Sequence, residues 1–223
     1  MASLMDGAME TNKCEVAHLR LGILLSGGGR TLQNIHDHIV KAELPASIVC
    51  VISSKPDAFG VNRAREMGLA THIVSRKLTP DPLFHDSIAR HLSEAKAELV
   101  CMAGFNVLWR IPSAFERRVI NIHPALLPEF GGTDHYGMRV HRAVIAAGRR
   151  VSGCTVHVCD NEYDHGPVIL QREVPVLPDD TPETLADRVF EQECVAYPEA
   201  IRLFAEGRVT VGSNGVVISD SRK

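Results

Sequence analysis

The chain has 223 residues, 45% of them hydrophobic, with 24 basic against 27 acidic side chains and a net charge of -3. That is enough apolar mass for one compact domain and too little for two ordinary ones. The interspersed charges leave no basic face for nucleic acid, and no apolar run reaches bilayer length, so neither partner is expected.

The N-terminal stretch has no continuous apolar segment of the signal-peptide kind, and a cytoplasmic protein is expected. Cysteines 14, 50, 101, 154, 159 and 194 are scattered without a Cys-x-x-Cys, which reads as buried reduced thiols. Residues 1–19 show no clear period and are taken as an irregular extension, 20–210 as the catalytic domain and 211–223 as a tail.

From Leu21 onward, short apolar runs alternate with helical periodicity, which predicts an α/β fold: an open, mostly parallel twisted sheet with helices on both faces. The parallel strands are expected at Leu21–Leu25, Ile48–Ser53, Thr71–Val74, Leu99–Ala103 and Val119–Ile122. Leu32, Ile35, Ile39 and Val40 mark one helical face between them, and Ile88 with Leu92 another. Beyond Pro128 come a glycine-rich loop, a helix at Arg139–Ala147 and strands at Cys154–Cys159 and Val168–Val176. A long helix, Pro182–Ala205, carries Pro198 as a possible kink and ends at Gly207.

In such a sheet, ligands sit beyond the carboxyl ends of the strands. The first strand ends in Ser26-Gly27-Gly28-Gly29-Arg30-Thr31 with a helix directly behind, where backbone amides point at an anion. It is neither a Walker loop nor a dinucleotide fingerprint, since Leu32 replaces the third glycine. A turn that binds nothing is the alternative.

The fifth strand runs into Asn121-Ile122-His123-Pro124-Ala125-Leu126-Leu127-Pro128. Two-residue spacing on a strand puts Asn121 and His123 on one side, at the end where a site belongs. The bland reading is a core histidine beside a turn asparagine. Asp164, between the two late strands, favours an imidazolium if it reaches His123, although an aspartate in a turn is often a local cap.

Taken in order, Leu24-Leu25-Ser26-Gly27-Gly28-Gly29, Ala103-Gly104-Phe105, the Asn121–Pro128 string and Asp164-His165-Gly166-Pro167-Val168-Ile169-Leu170-Gln171 resemble the phosphoribosylglycinamide formyltransferases, over about Leu21 to Val209. The resemblance implies a Rossmann-like formyltransferase fold, 10-formyltetrahydrofolate as co-substrate, glycinamide ribonucleotide as acceptor, no metal, and a monomer or homodimer.

It further implies Asn121, His123 and Asp164 as catalytic residues, the first two on the formyl oxygen and Asp164 holding His123. Gly28, Gly29, Arg30 and Thr31 are implied around the phosphate, and Glu193 on the ribose. Phe105, Asn106, Val107, Leu108, Asn121, Cys159, Asp160 and Asp164 are implied around the folate. Arg30-Thr31 replaces the usual Ser-Asn, and we expect Arg30 to add a charge-assisted contact to the phosphate. His165 stands where a second glycine is usual. Arg76 or Lys77 is expected to meet the folate tail, and the longer loop Gly131–Met138 to act as a lid.

His157, on a strand leading to Asp164, is either an orienting group or a sheet histidine with no such role. Glu191 and Glu193 face different ways round their helix and form no carboxylate dyad. Among competing functions, a methionyl-tRNA formyltransferase is expected to carry a further RNA-binding domain and a folate deformylase an N-terminal regulatory one. A non-catalytic nucleotide or folate sensor is the alternative of a different class.

Overall fold

The computed structural model describes residues 18–212 and 215–220, so Cys14 and nearly all of the expected extension lie outside the described residues. Nine strands and five helices follow in chain order: β1 (Leu19–Leu25), α1 (Arg30–Val40), β2 (Ala46–Ser53), α2 (Phe59–Glu66), β3 (Thr71–Ile73), α3 (Leu83–Glu94), β4 (Leu99–Met102), β5 (Val119–His123), α4 (Met138–Ala146), β6 (Val151–Val158), β7 (Val168–Pro175), α5 (Pro182–Ala205), β8 (Val209–Gly212) and β9 (Gly215–Ile218).

The main sheet runs β3-β2-β1-β4-β5-β6-β7. The first five strands are parallel, and β6 and β7 are antiparallel additions at one edge. Strands covered on both faces read as near-continuous apolar runs, and β1 is one. Its Leu21, Ile23 and Leu25 point into the larger core beneath α1, α2, α4 and α5, while Leu24 points into the core built with α3 and Trp109. Each such fully buried side chain contributes roughly 1.5–3 kcal/mol relative to exposure. Gly22 faces α3, where a Cβ would fall 2.3 Å from Leu92 Cδ2, so glycine lets helix and strand approach.

Leu32 and Ile35 are buried as the helical pattern required, but Val40 is 69% exposed because it lies at the last residue of α1, off that face. Helix α2 was not expected. Only eight residues long and carrying two arginines, an asparagine and a glycine, it shows little apolar period. Val209–Gly212 and Gly215–Ile218 pair as antiparallel strands rather than forming a plain tail. Val209, Val211 and Val216 pack on the core, with the alternation of a strand rather than of irregular chain.

Helix α5 opens on a reciprocal Thr181–Thr184 capping box and ends at Gly207, whose φ of 65° suits glycine. It runs unbroken through Pro198, which has no N–H to offer the carbonyl four residues back. That carbonyl, of Cys194, instead accepts from Asn34 Nδ2 of α1 at 3.0 Å. Tyr197, fully buried on the same helix, sets its hydroxyl 3.0 Å from the carbonyls of both Met102 and Ile120, fixing α5 beneath β4 and β5.

Candidate functional site

β1 lies between β2 and β4, so the chain reverses its direction of progress across the sheet there, and a crevice opens at the carboxyl ends. The crevice is a cleft of about 1250 Å³ whose walls include Gly27, Thr31, Asn121, His123, Asp164 and Glu193. A side chamber of about 60 Å³ adjoins it, sharing Phe105, Val107, Asn121 and Asp164 and adding Leu108, Cys159, Asp160 and His157.

Register explains the polar cluster. Asn121 on β5 pairs with His157 on antiparallel β6, and directly opposed residues share a face. Their side chains meet at 3.2 Å, Nδ2 to Nε2. Asn121 Nδ2 also donates to Asp164 Oδ1 at 3.3 Å, and Asp164 Oδ2 lies 3.4 Å from His123 Nδ1. His157 is 1% exposed, with Nδ1 3.2 Å from its neighbour's carbonyl, and lies behind the cluster.

Asp164 is aimed by local backbone. β7 carries one extra residue: Val156 pairs with Leu170 but His157 with Val168, a bulge at Ile169 beside the site. Gly166 then passes so close to β6 that a Cβ would stand 1.9 Å from the Val158 carbonyl. Asp164 itself adopts φ 51°, a left-handed conformation that aspartate tolerates better than most residues. Burial pushes its carboxyl up, but bonds from His123 and His157, the charge of His123 and the Gly132 N–H outweigh it. The net is a pKa well below 3.8.

The turn after His123 is held from below. Thr155 Oγ1 donates to the Ala125 carbonyl at 2.7 Å and accepts the Leu127 N–H at 3.0 Å. Gln171 Nε2 reaches both the Leu127 carbonyl and Thr155 Oγ1 at 2.9 Å. His123 is 4% exposed, and its Nε2 donates to the Phe130 carbonyl at 2.8 Å. The loop that follows is therefore tied to both groups, since its Gly132 N–H donates to Asp164 Oδ2 at 3.0 Å.

At the other end of the cleft, Gly29, φ 73°, is the N-cap of α1 and offers it no side-chain cap. A Cβ on Gly29 would fall 2.7 Å from Gly60 Cα, so the loop is pressed against α2. The amides of the first turn have no partners within the helix and carry the positive end of its dipole. Thr31 lines the cleft; Gly28, Gly29 and the side chain of Arg30 do not.

The guanidinium of Arg30, expected on an anion, lies 3.7 Å from the ring centroid of Phe190 and 3.5 Å from Asp187. A cation stacked on an aromatic face beside a carboxylate already has its partners. Glu193, between the two ends, has its pKa pushed from 4.5 up to about 7 by burial, which the charges of His123 and Arg30 only partly offset.

Arg76 and Lys77 both stand on the rim; Arg76 is held by a two-pronged pair with Asp81. His165, the departure from glycine, ties back to Asp160 at 2.7 Å across the base of its loop. Cys50, Cys101, Cys154, Cys159 and Cys194 are free, and burial holds Cys50 and Cys154 up at about 11 and 12, which suits inert thiols.

Sequence reading passed over Ser54, Lys55 and Ser75, which line the cleft from the ends of β2 and β3. The rule that sites lie beyond strand ends applies to those positions as much as to Asn121. It also passed over Ser26, whose Oγ sits 2.6 Å from Ser54 Oγ and accepts the Asn106 N–H at 2.9 Å, linking the glycine loop to the other wall. Among the described residues, no group of three His, Cys, Asp or Glu side chains is placed to hold a metal ion, and no helix is long and apolar enough to cross a membrane.

Residues 19–201 match the family model described as formyl transferase. The chain is 37% identical to a chloroplastic phosphoribosylglycinamide formyltransferase of Vigna unguiculata, over 93% of this chain and 68% of that protein. It is 38% identical to a trifunctional purine biosynthetic protein of Gallus gallus, over 96% of this chain but only 21% of that much longer protein. A crystal structure of glycinamide ribonucleotide transformylase 1 from Symbiobacterium toebii superposes with a TM-score of 0.85 at 41% identity, covering 91% of this chain and 95% of the other.

Proposed function

This chain belongs to the formyl transferase family, and from that membership we propose that it transfers the formyl group of 10-formyltetrahydrofolate to the amine of glycinamide ribonucleotide, a step of purine biosynthesis. The observation that carries the reading is the cleft itself: Asn121, His123 and Asp164 cluster on a wall shared with a side chamber, and an uncapped helix N-terminus lies at the other end.

On this reading, the ribonucleotide phosphate rests on backbone amides of Gly28, Gly29, Arg30 and Thr31, and the ribose hydroxyls on Glu193. The pterin enters the side chamber among Phe105, Asn106, Val107, Leu108, Cys159 and Asp160, which brings its formyl group to Asn121 and His123. Lys77 on the rim meets the carboxylate tail, because Arg76 is already paired to Asp81.

The amine attacks the formyl carbon, and the carbonyl oxygen gathers negative charge. His123 Nε2 exchanges the Phe130 carbonyl for that oxygen, and Asn121 Nδ2 turns to it from Asp164, so two donors stabilise the tetrahedral intermediate. Asp164 keeps His123 oriented through Nδ1. Collapse breaks the bond to the folate nitrogen, which takes up the proton that the amine gives away through water.

The test is an assay with 10-formyltetrahydrofolate and glycinamide ribonucleotide, following the formylated product and the free folate together. Equimolar appearance of both supports the reading. Binding of both compounds without transfer overturns it and leaves a sensor.

A further inference from the structure

The irregular segment after β4, Gly104–Ile111, forms much of the side-chamber wall and has no regular structure of its own. It is suspended by side chains from three other elements. Ser26 Oγ, behind β1, accepts the Asn106 N–H at 2.9 Å, and Asn161 Oδ1, from the β6–β7 loop, accepts the Ile111 N–H at 2.8 Å. The third support is His85 on α3, whose Nδ1 accepts the Arg110 N–H at 3.1 Å and whose carbonyl accepts the Trp109 indole N–H at 3.2 Å.

His85 Nε2 lies 3.0 Å from Asp81 Oδ1. A neutral imidazole has one N–H; with Nδ1 accepting, that hydrogen belongs on Nε2 and points at Asp81. Arg76 Nη1 stands 3.5 Å from the same Nε2 but is itself bonded to Asp81, so the carboxylate takes the Nε2 hydrogen of a residue that is 8% exposed.

We infer that His85 is a positioning residue that holds the Gly104–Ile111 wall in place for the folate, and that it does so only while its Nδ1 carries no proton. A proton on Nδ1 would set two donors against each other at 3.1 Å and release the Arg110 amide. The charged groups facing the ring are Asp81 and Arg76 ahead of α3, Asp86 on α3 and Arg110 on the held segment. Burial, with the two arginines, keeps the imidazole below its ordinary 6.5 against the pull of the two aspartates. The Nδ1 lone pair is therefore kept open at neutral pH and lost in acid. The identity of the wall's ligand rests on the proposed function; the support of the wall does not.

Trp109 is the one tryptophan of the chain and hangs from His85, so its emission reports on this segment without any substrate. Steady-state kinetics and emission are to be compared for the wild type, His85→Ala and His85→Asn from about pH 5 to pH 8. Asparagine places an oxygen near the Nδ1 position and does not titrate. His85→Ala is expected to raise KM for formyl-folate about tenfold, with kcat and KM for the ribonucleotide within about twofold, and His85→Asn to restore most of it.

The wild type's KM for the folate should climb and its emission shift to longer wavelength as pH falls, both flat in His85→Asn. Equal rises of both KM values in His85→Ala, or a wild-type pH response in His85→Asn, would overturn the inference. If His85→Ala does not fold, the asparagine variant and the emission decide alone. An acid shift in emission that disappears in His85→Asn, in a protein without formyl transfer, would sustain the positioning role and sink the substrate reading.

Discussion

Asp164 Oδ2 sits 3.4 Å from Nδ1 of His123 while its other oxygen takes the amide of Asn121, so one carboxylate orients both groups assigned to the formyl oxygen. Asparagine is the clean probe, because it tolerates the φ of 51° that alanine would not. Asp164→Asn is expected to lower kcat by roughly 10²- to 10⁴-fold with the fold retained, checked by stopped-time product assay and circular dichroism.

The same carboxylate makes a signed statement about stability. Its folded pKa lies below the ordinary 3.8, so its contribution is complete above that value and is lost as pH falls through the folded one. Chemical denaturation of the wild type and Asp164→Asn should show a gap at pH 7 that narrows in strong acid. A gap that widened there would contradict the assignment.

Glu193 behaves oppositely. With its folded pKa raised from 4.5 to about 7, the folded state holds the proton more tightly, and stability drains away as pH rises across that window. Glu193→Gln should therefore raise Tm at pH 8 and leave it nearly unchanged at pH 5, while KM for the ribonucleotide increases. Thermal melts at the two pH values check the first part.

A Cβ on Gly131 would lie 2.7 Å from Leu127 Cδ2 and 3.2 Å from Asp164 Cβ, so both neighbours would have to give way. Gly131→Ala is expected to shift Asp164 by a few tenths of an ångström and cost about tenfold in kcat, with a modest fall in Tm. A kcat equal to wild type would mean that the loop yields instead.

Arg30→Ala should leave KM for the ribonucleotide within about twofold, because the guanidinium is committed to Phe190 and Asp187. Thr31, which does line the cleft, supplies the contrast. Thr31→Ala should raise that KM several-fold, measured in the same assay.

The positions of the parallel strands along the chain and the shared side of Asn121 and His123 were legible because both follow from short-range periodicity. That Asn121 faces His157 was not, because it depends on how β6 registers against β5. The place of the Arg30 side chain was hidden for a related reason. Its neighbours in sequence read as an anion cradle, while its side chain stacks on Phe190, far along the chain on α5. Helix α2 escaped because eight polar-rich residues have too few apolar positions to show a period, although Gly60 on it is what the glycine loop packs against. The site's two ends were thus readable locally, and the supports that set their aim were not.

The proline within α5 has one more outcome. By withholding a hydrogen it leaves the Cys194 oxygen available, and Asn34 takes it, bolting the helix of Glu193 to the helix that starts at the glycine loop. On the proposed reading, the two grips on a nucleotide are thereby set at a constant span, like the jaws of a caliper. A compound whose sugar and phosphate are separated by one extra bond meets a gauge that does not stretch.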